Sequence, residues 1–104
     1  MINFFRRIFS NSQATENRIT KDAFLVDVRT PAEFAEGNVR GSVNIPLDQI
    51  SKKLDKFRNK ENIVVFCRSG ARSAQAKSIL QQNGITDVVN GGSWKSVDKM
   101  VNHG

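Results

Sequence analysis

The chain has 104 residues, and 16 Lys and Arg against 10 Asp and Glu give it a formal net charge of +6. This length fits one compact domain and is too short for two. With one cysteine and one histidine, the chain can form neither an internal disulfide nor a four-ligand zinc site. The sequence therefore predicts one domain with no metal and no cofactor.

The basic charge attracts anions in general, and a solvated basic surface is its simplest interpretation. The lysine-rich stretch 51–62 lacks the series of interleaved aromatic residues that stacks bases, so we expect no nucleic acid partner. No apolar run approaches the ~18 residues of a membrane span, and no apolar stretch of an export signal follows Arg6 and Arg7. We expect a monomeric cytoplasmic protein.

Residues 1–22 are predicted to form an N-terminal amphipathic segment followed by a polar arm, with the domain over 23–104. Ile2, Phe5, Ile8 and Phe9 lie on one face if the start of the chain is helical. Such a face packs against the domain or lies on a membrane surface, and the sequence leaves both alternatives open.

The first half of the domain alternates strands and helices. The apolar run 23–28 predicts a buried strand, and Thr-Pro-Ala-Glu at 30–33 predicts a helix start with a threonine cap. A short strand at 43–45 ends at a proline. Apolar residues at helical spacing over 47–57 predict an amphipathic helix.

The second half continues the alternation. Four consecutive apolar residues at 63–66 are typical of a central parallel strand that is covered on both faces. A helix from Ser73 ends near Gly84, a last strand follows at 87–89, and Trp94 begins a closing helix. This order predicts an α/β domain with a parallel sheet.

The single thiol, Cys67, directly follows the central strand, where open parallel sheets bind their ligands. A lone thiol is inert packing, a redox sensor or a nucleophile. Gly70 permits a tight turn before the next helix, whose N-terminus adds free N–H groups and a partial positive charge. Ionising the thiol at neutral pH takes about 2.7 kcal/mol, which one or two charge-assisted hydrogen bonds supply. The loop therefore predicts an activated nucleophile.

The loop has the spacing Cys-x4-Arg between Cys67 and Arg72, one residue shorter than the Cys-x5-Arg signature of tyrosine phosphatases. A smaller ring of amides suits the terminal sulfur of a persulfide better than a phosphoryl group. Arg72 either binds an anionic substrate or forms an ion pair with a nearby carboxylate.

Three segments together resemble the single-domain rhodaneses of the thiosulfate sulfurtransferase family: FLVDVRTPAEFAEGNVRGSVNIPL, VVFCRSGARSAQAKSIL and VVNGGSW. The resemblance implies a three-layer domain, with a parallel sheet flanked by helices on both faces. It also implies that Cys67 is the nucleophile that holds a sulfane sulfur as a persulfide. The implied substrate-binding loop has five residues, Arg68, Ser69, Gly70, Ala71 and Arg72.

Other positions match this family in part. Asp27 and Arg29 correspond to its structural Asp-Val-Arg, and an ion pair within the domain is expected. Gly91 and Gly92 correspond to a turn near the pocket, and Trp94 is a core residue or a substrate contact. The family's Gly-His-Ile-Pro-Gly is Gly-Asn-Val-Arg-Gly over 37–41.

The resemblance implies transfer of a sulfane sulfur from a small anionic donor, such as thiosulfate, to cyanide, a thiol or a protein thiol. The alternatives are a noncatalytic or carrier rhodanese module and a phosphatase or arsenate reductase of related fold.

Overall fold

A computed structural model of the chain describes residues 15–103. Within this range, four parallel strands form one sheet in the order β2-β1-β3-β4. The strands are β1 (Phe24–Asp27), β2 (Val43–Asn44), β3 (Ile63–Cys67) and β4 (Val88–Ser93). The three helices that follow strands are α1 (Pro31–Glu36), α2 (Ala71–Gln82) and α3 (Trp94–His103). The predicted α/β fold with a parallel sheet is confirmed.

The sheet is covered on both faces, and successive side chains of its central strand pack into two different apolar clusters. Ile63 and Val65 pack in the cluster beneath α2, which includes Leu80, whereas Val64 contacts the cluster beneath α3. Every residue of β3 is buried. This burial explains why the strand reads as a continuous apolar run. The domain thus has three layers, as the resemblance implies.

The predicted N-terminal segment lies mostly outside the described residues, which begin at residue 15. In its described part, residues 15–18 are helical, and the Arg18 guanidinium lies 2.6 Å from an Asp87 carboxylate oxygen. Arg18 also hydrogen-bonds the side chain of Asn62. No helix between residues 15 and 103 is long and apolar enough to cross a membrane.

The predicted cap of α1 is present. The Thr30 hydroxyl accepts a hydrogen bond from the Glu33 N–H at 3.2 Å, and the Glu33 carboxylate accepts one from the Thr30 N–H at 3.0 Å. These reciprocal bonds form a capping box and satisfy two N–H groups that the helix leaves free.

The amphipathic helix predicted over 47–57 is wrong in type. Two 3₁₀ segments, Leu47–Lys52 and Leu54–Lys56, replace it, and Lys53 with φ −125° and ψ 33° interrupts them. Residues three apart also share a face in a 3₁₀ helix, so the apolar spacing fits both structures. The predicted inward face is correct, because Ile50 and Phe57 are fully buried.

Two boundaries differ near the cysteine. Strand β3 includes Cys67 as its last residue, and α2 begins at Ala71 rather than Ser73. The connection therefore has only three residues, 68–70.

Strand β4 is longer than predicted and contains a bulge. Val65 pairs with Asn90 and Phe66 pairs with Gly92, which leaves Gly91 as an extra residue. A Cβ atom at position 91 would lie 2.9 Å from Val64 Cγ1, so only glycine fits there without movement.

Candidate active site

The thiol of Cys67 lies at the carboxyl end of the central strand, and the residue is 1% exposed. Its strand partner in β4 is Ser93. The chain then reverses over three residues, with Gly70 at φ +102° in the left-handed region that favours glycine. This turn points the Gly70 N–H at the Cys67 Sγ, 3.0 Å away. The sequence thus folds locally into an N–H donor aimed at sulfur.

The pKa of the Cys67 thiol lies below its ordinary value. Burial alone raises this pKa, because it disfavours the charged thiolate. The hydroxyl of Ser73, whose Oγ lies 3.5 Å from Sγ, lowers it, as do the N–H groups of Ser73, Ser69 and Gly70. These donors come from the loop and from the first turn of α2, where helices leave N–H groups free. The site therefore favours the ionised sulfur.

The five predicted loop residues contribute differently. Gly70 donates its N–H to Cys67 Sγ, and the Ser69 N–H also lowers the pKa of the thiol. The third N–H group belongs to Ser73, which the sequence analysis did not assign to the site.

A hydrogen-bond network joins the loop to β4. Ser73 is fully buried, and its Oγ lies 2.7 Å from the Asn90 Oδ1. The Asn90 side-chain amide donates to the Gly70 carbonyl at 3.0 Å and accepts from the Gly92 N–H at 2.9 Å. Together with the two contacts to Cys67 Sγ, these bonds form a closed ring that includes the sulfur. Asn90 therefore fixes the turn that carries the sulfur-binding amide.

Sequence reasoning missed Asn90, although it lies within the VVNGGSW segment that carried the resemblance. Its role depends on the bulge, which changes the register between Asn90 and Gly92. A polar residue directly before two glycines in a strand was the available signal.

The guanidinium of Arg72 binds the Glu33 carboxylate through two hydrogen bonds, at 2.7 and 3.0 Å. This bidentate contact and the Thr30 N–H lower the pKa of Glu33 from its ordinary value of 4.5 to about 2. Of the two alternatives for Arg72, the ion pair is the arrangement present. Glu33 thus serves both the cap of α1 and the first turn of α2.

Asp27 and Arg29 form the expected ion pair within the domain. Both side chains are buried, and the Arg29 Nη2 lies 2.7 Å from Asp27 Oδ2. The same Nη2 donates to the Gly37 carbonyl at 2.7 Å, and the guanidinium lies 4.5 Å from the centre of the Trp94 ring. The pair therefore holds Trp94 beside the cysteine loop.

Charged side chains near the loop surround a cavity of about 250 Å³, and Arg68 and Trp94 are among its lining residues. Residues 15–103 contain no group of three or more His, Cys, Asp or Glu side chains that could hold a metal ion.

The fold and the site define the protein as an α/β domain that presents a cysteine loop after the central strand of a parallel sheet. The Rhodanese-like domain family matches residues 10–98, and the chain belongs to this family. It is 38% identical over 82 residues to a sulfurtransferase of Allochromatium vinosum, covering 77% of each chain. It is 35% identical over 74 residues to the thiosulfate sulfurtransferase PspE of Escherichia coli, covering 69% of this chain and 71% of that one.

Among solved structures, a rhodanese with anions from E. coli aligns with a TM-score of 0.65 at 34% identity, over 71% of this chain and 89% of that one. These comparisons confirm the predicted rhodanese-like fold. They support sulfur transfer at the level of the family.

Proposed function

We propose that the protein is a sulfurtransferase that carries a sulfane sulfur as a persulfide on Cys67. The observation that carries this proposal is the Gly70 N–H donating to Cys67 Sγ at 3.0 Å, within a site that lowers the pKa of the thiol. A nucleophile in this state attacks sulfur without a histidine base. The sulfurtransferases to which the chain is similar give the proposal independent support.

The proposed donor is a small sulfur anion such as thiosulfate. The Cys67 thiolate attacks the outer sulfur of thiosulfate, a new S–S bond forms, and the S–S bond of the donor breaks. Sulfite leaves with the electron pair of that bond. The product is a Cys67 persulfide anion, so charge and atoms balance. The N–H groups of Ser69, Gly70 and Ser73 stabilise the negative sulfur, as an oxyanion hole stabilises oxygen.

The acceptor then attacks the outer sulfur of the persulfide. A cyanide acceptor takes this sulfur and leaves as thiocyanate, and a thiolate acceptor takes it and leaves as a persulfide. In both cases the electron pair of the broken S–S bond returns to Cys67 Sγ. The chain has no second cysteine to displace the sulfur. The acceptor is therefore a separate molecule, either a small thiophile or a protein thiol.

The loop side chains have distinct roles in this proposal. The exposed guanidinium of Arg68 attracts the anionic donor to the loop, whereas Arg72 orients the first turn of α2 through Glu33. Ala71 is the first residue of α2.

The test is sulfur loading measured by intact-protein mass spectrometry after incubation with thiosulfate and desalting. The wild-type protein is expected to gain the mass of one sulfur atom, and cyanide is expected to remove it. Cys67→Ser and Cys67→Ala should gain nothing while keeping the wild-type circular dichroism spectrum. Loading that survives both substitutions would contradict the proposal.

The alternatives give different results in the same experiment. A protein that loads sulfur but transfers it slowly to every acceptor is a carrier module. Hydrolysis of a phosphate ester without sulfur loading would favour the phosphatase.

A further inference from the structure

The cavity beside the cysteine loop has a position that suits a reactant of Cys67. Its volume is about 250 Å³, and it is bounded by Arg68 from the loop and by Trp94. Arg68 directly follows Cys67, and Trp94 directly follows Ser93, the strand partner of Cys67, so the cavity lies at the carboxyl end of the strand pair that carries the thiol. Sites for drug-sized ligands have roughly 300–1,000 Å³, and this one therefore suits a smaller molecule.

Two charged groups of the cavity wall are already engaged within the protein. Arg29 is held by Asp27 and stacks on Trp94, and Glu33 is held by Arg72. Because these pairs are fixed by two or more contacts each, they shape the wall and leave little charge for a ligand.

Three other charged groups of the wall are exposed and free to bind a ligand. Within the described range, Arg68 and Glu36 have no ion-pair or hydrogen-bond partner. The Lys95 ammonium has only a distant contact, 6.0 Å from the centre of the Trp94 ring. The cavity thus presents two cations and one carboxylate. A purely anionic ligand would use the cations but would be repelled by Glu36.

From these charges we infer that the cavity is the acceptor subsite, and that it recognises a small zwitterionic thiol of the amino-acid type. The carboxylate of the acceptor contacts Arg68 and Lys95, and its ammonium group contacts Glu36. Its thiolate attacks the outer sulfur of the Cys67 persulfide, one S–S bond forms as the other breaks, and the electron pair returns to Cys67 Sγ. This inference rests on the proposed function and names the class of its acceptor.

The experiment measures how fast the sulfur-loaded protein unloads to three thiols that differ in charge. L-Cysteine carries both groups, cysteamine lacks the carboxylate, and 3-mercaptopropionate lacks the ammonium. Each rate constant is corrected for the thiolate fraction of the thiol. Each variant is then compared with wild type for the same thiol, so that differences in intrinsic reactivity cancel.

Glu36→Gln is expected to slow transfer to L-cysteine and cysteamine by about two- to fivefold, the range for one exposed charge contact. It should not slow transfer to 3-mercaptopropionate. Lys95→Gln should slow sulfur transfer to L-cysteine and to 3-mercaptopropionate by a similar factor and leave the rate of transfer to cysteamine unchanged. The matched controls Glu61→Gln and Lys52→Gln change exposed charges outside this cavity, and we expect them to preserve all three rates.

Two failures are distinguishable. In the first, wild type and variants load sulfur normally, but their unloading rates do not depend on the charge of the thiol. This result would overturn the inference and leave the proposed function intact. A protein that takes no sulfur from any sulfane donor would overturn both. Equal slowing of all three thiols by Glu36→Gln would also overturn the inference, because it indicates a structural effect.

Discussion

Replacing Ser73 with alanine removes the hydroxyl whose Oγ lies 3.5 Å from Cys67 Sγ, and we expect the pKa of Cys67 to rise. A hydrogen bond to a charged group contributes about 1.5–3 kcal/mol, and one pKa unit corresponds to about 1.36 kcal/mol. The contact is long, and the single hydroxyl proton is shared with Asn90 Oδ1 at 2.7 Å and with the Gly70 carbonyl at 3.1 Å. The lower end of the range applies, about 1.5 kcal/mol, so at a fixed pH below the midpoint the rate of alkylation should fall by about tenfold.

The rate of alkylation by iodoacetamide as a function of pH measures this pKa, because only the thiolate reacts. Ser78→Ala is the matched control, since Ser78 is exposed on the same helix. We expect the Ser73→Ala midpoint to move to higher pH and the control midpoint to stay in place. An unchanged midpoint in a folded Ser73→Ala protein would show that the hydroxyl does not stabilise the thiolate, and would refute this reasoning.

Two further predictions concern the loop and its anchor. Gly70→Ala and Gly84→Ala each place a side chain at positive φ, +102° and +83°, and each should lower the free energy of unfolding by about 1–2 kcal/mol. Only Gly70→Ala should slow sulfur loading, because its strain falls on the turn that directs the residue 70 N–H at Cys67 Sγ, and equal loading in both variants would show that loading does not depend on the conformation of this turn. The depressed pKa of Glu33, about 2 against 4.5, means that its contribution to stability is complete above about pH 4.5 and is lost as the pH falls toward 2. Glu33→Gln should therefore lower the free energy of unfolding by about 1 kcal/mol at neutral pH, measured by urea unfolding, and should make that free energy depend less on acid pH. If wild type and variant lose stability equally as the pH falls, the Glu33–Arg72 pair is not the source of the acid dependence.

Local patterns in the sequence predicted most of the sheet. The run Ile63–Cys67 is apolar because both of its faces are covered, and Thr30 caps its helix through a residue only three positions away. Patterns of this kind involve residues only a few positions apart, so they can be recognised in the sequence alone. The segment 47–57 shows their limit, because apolar spacing fixes which side faces the core but not which helix type forms.

The site was predictable only in part, for the same reason. Cys67 and Gly70 lie within one turn, and the short loop motif from Cys67 to Arg72 can be recognised in the sequence. The partners that hold this turn come from distant parts of the chain. Glu33 is 39 positions from Arg72, and Asn90 is 17 positions from Ser73. Such pairs form only when the strands have assembled, and no local pattern marks them.

The extra residue in β4 has a consequence for how such domains diverge. Deleting Gly91 would keep the pairs Val65–Asn90 and Phe66–Gly92 and leave the apolar layers in place, yet it would remove the residue that separates Asn90 from the Gly92 N–H bound by its side chain. One codon therefore separates a sheet in which Gly92 anchors the Asn90 side chain from the same sheet without that anchor. The surroundings of the thiol can change by this route with no substitution at the cysteine itself.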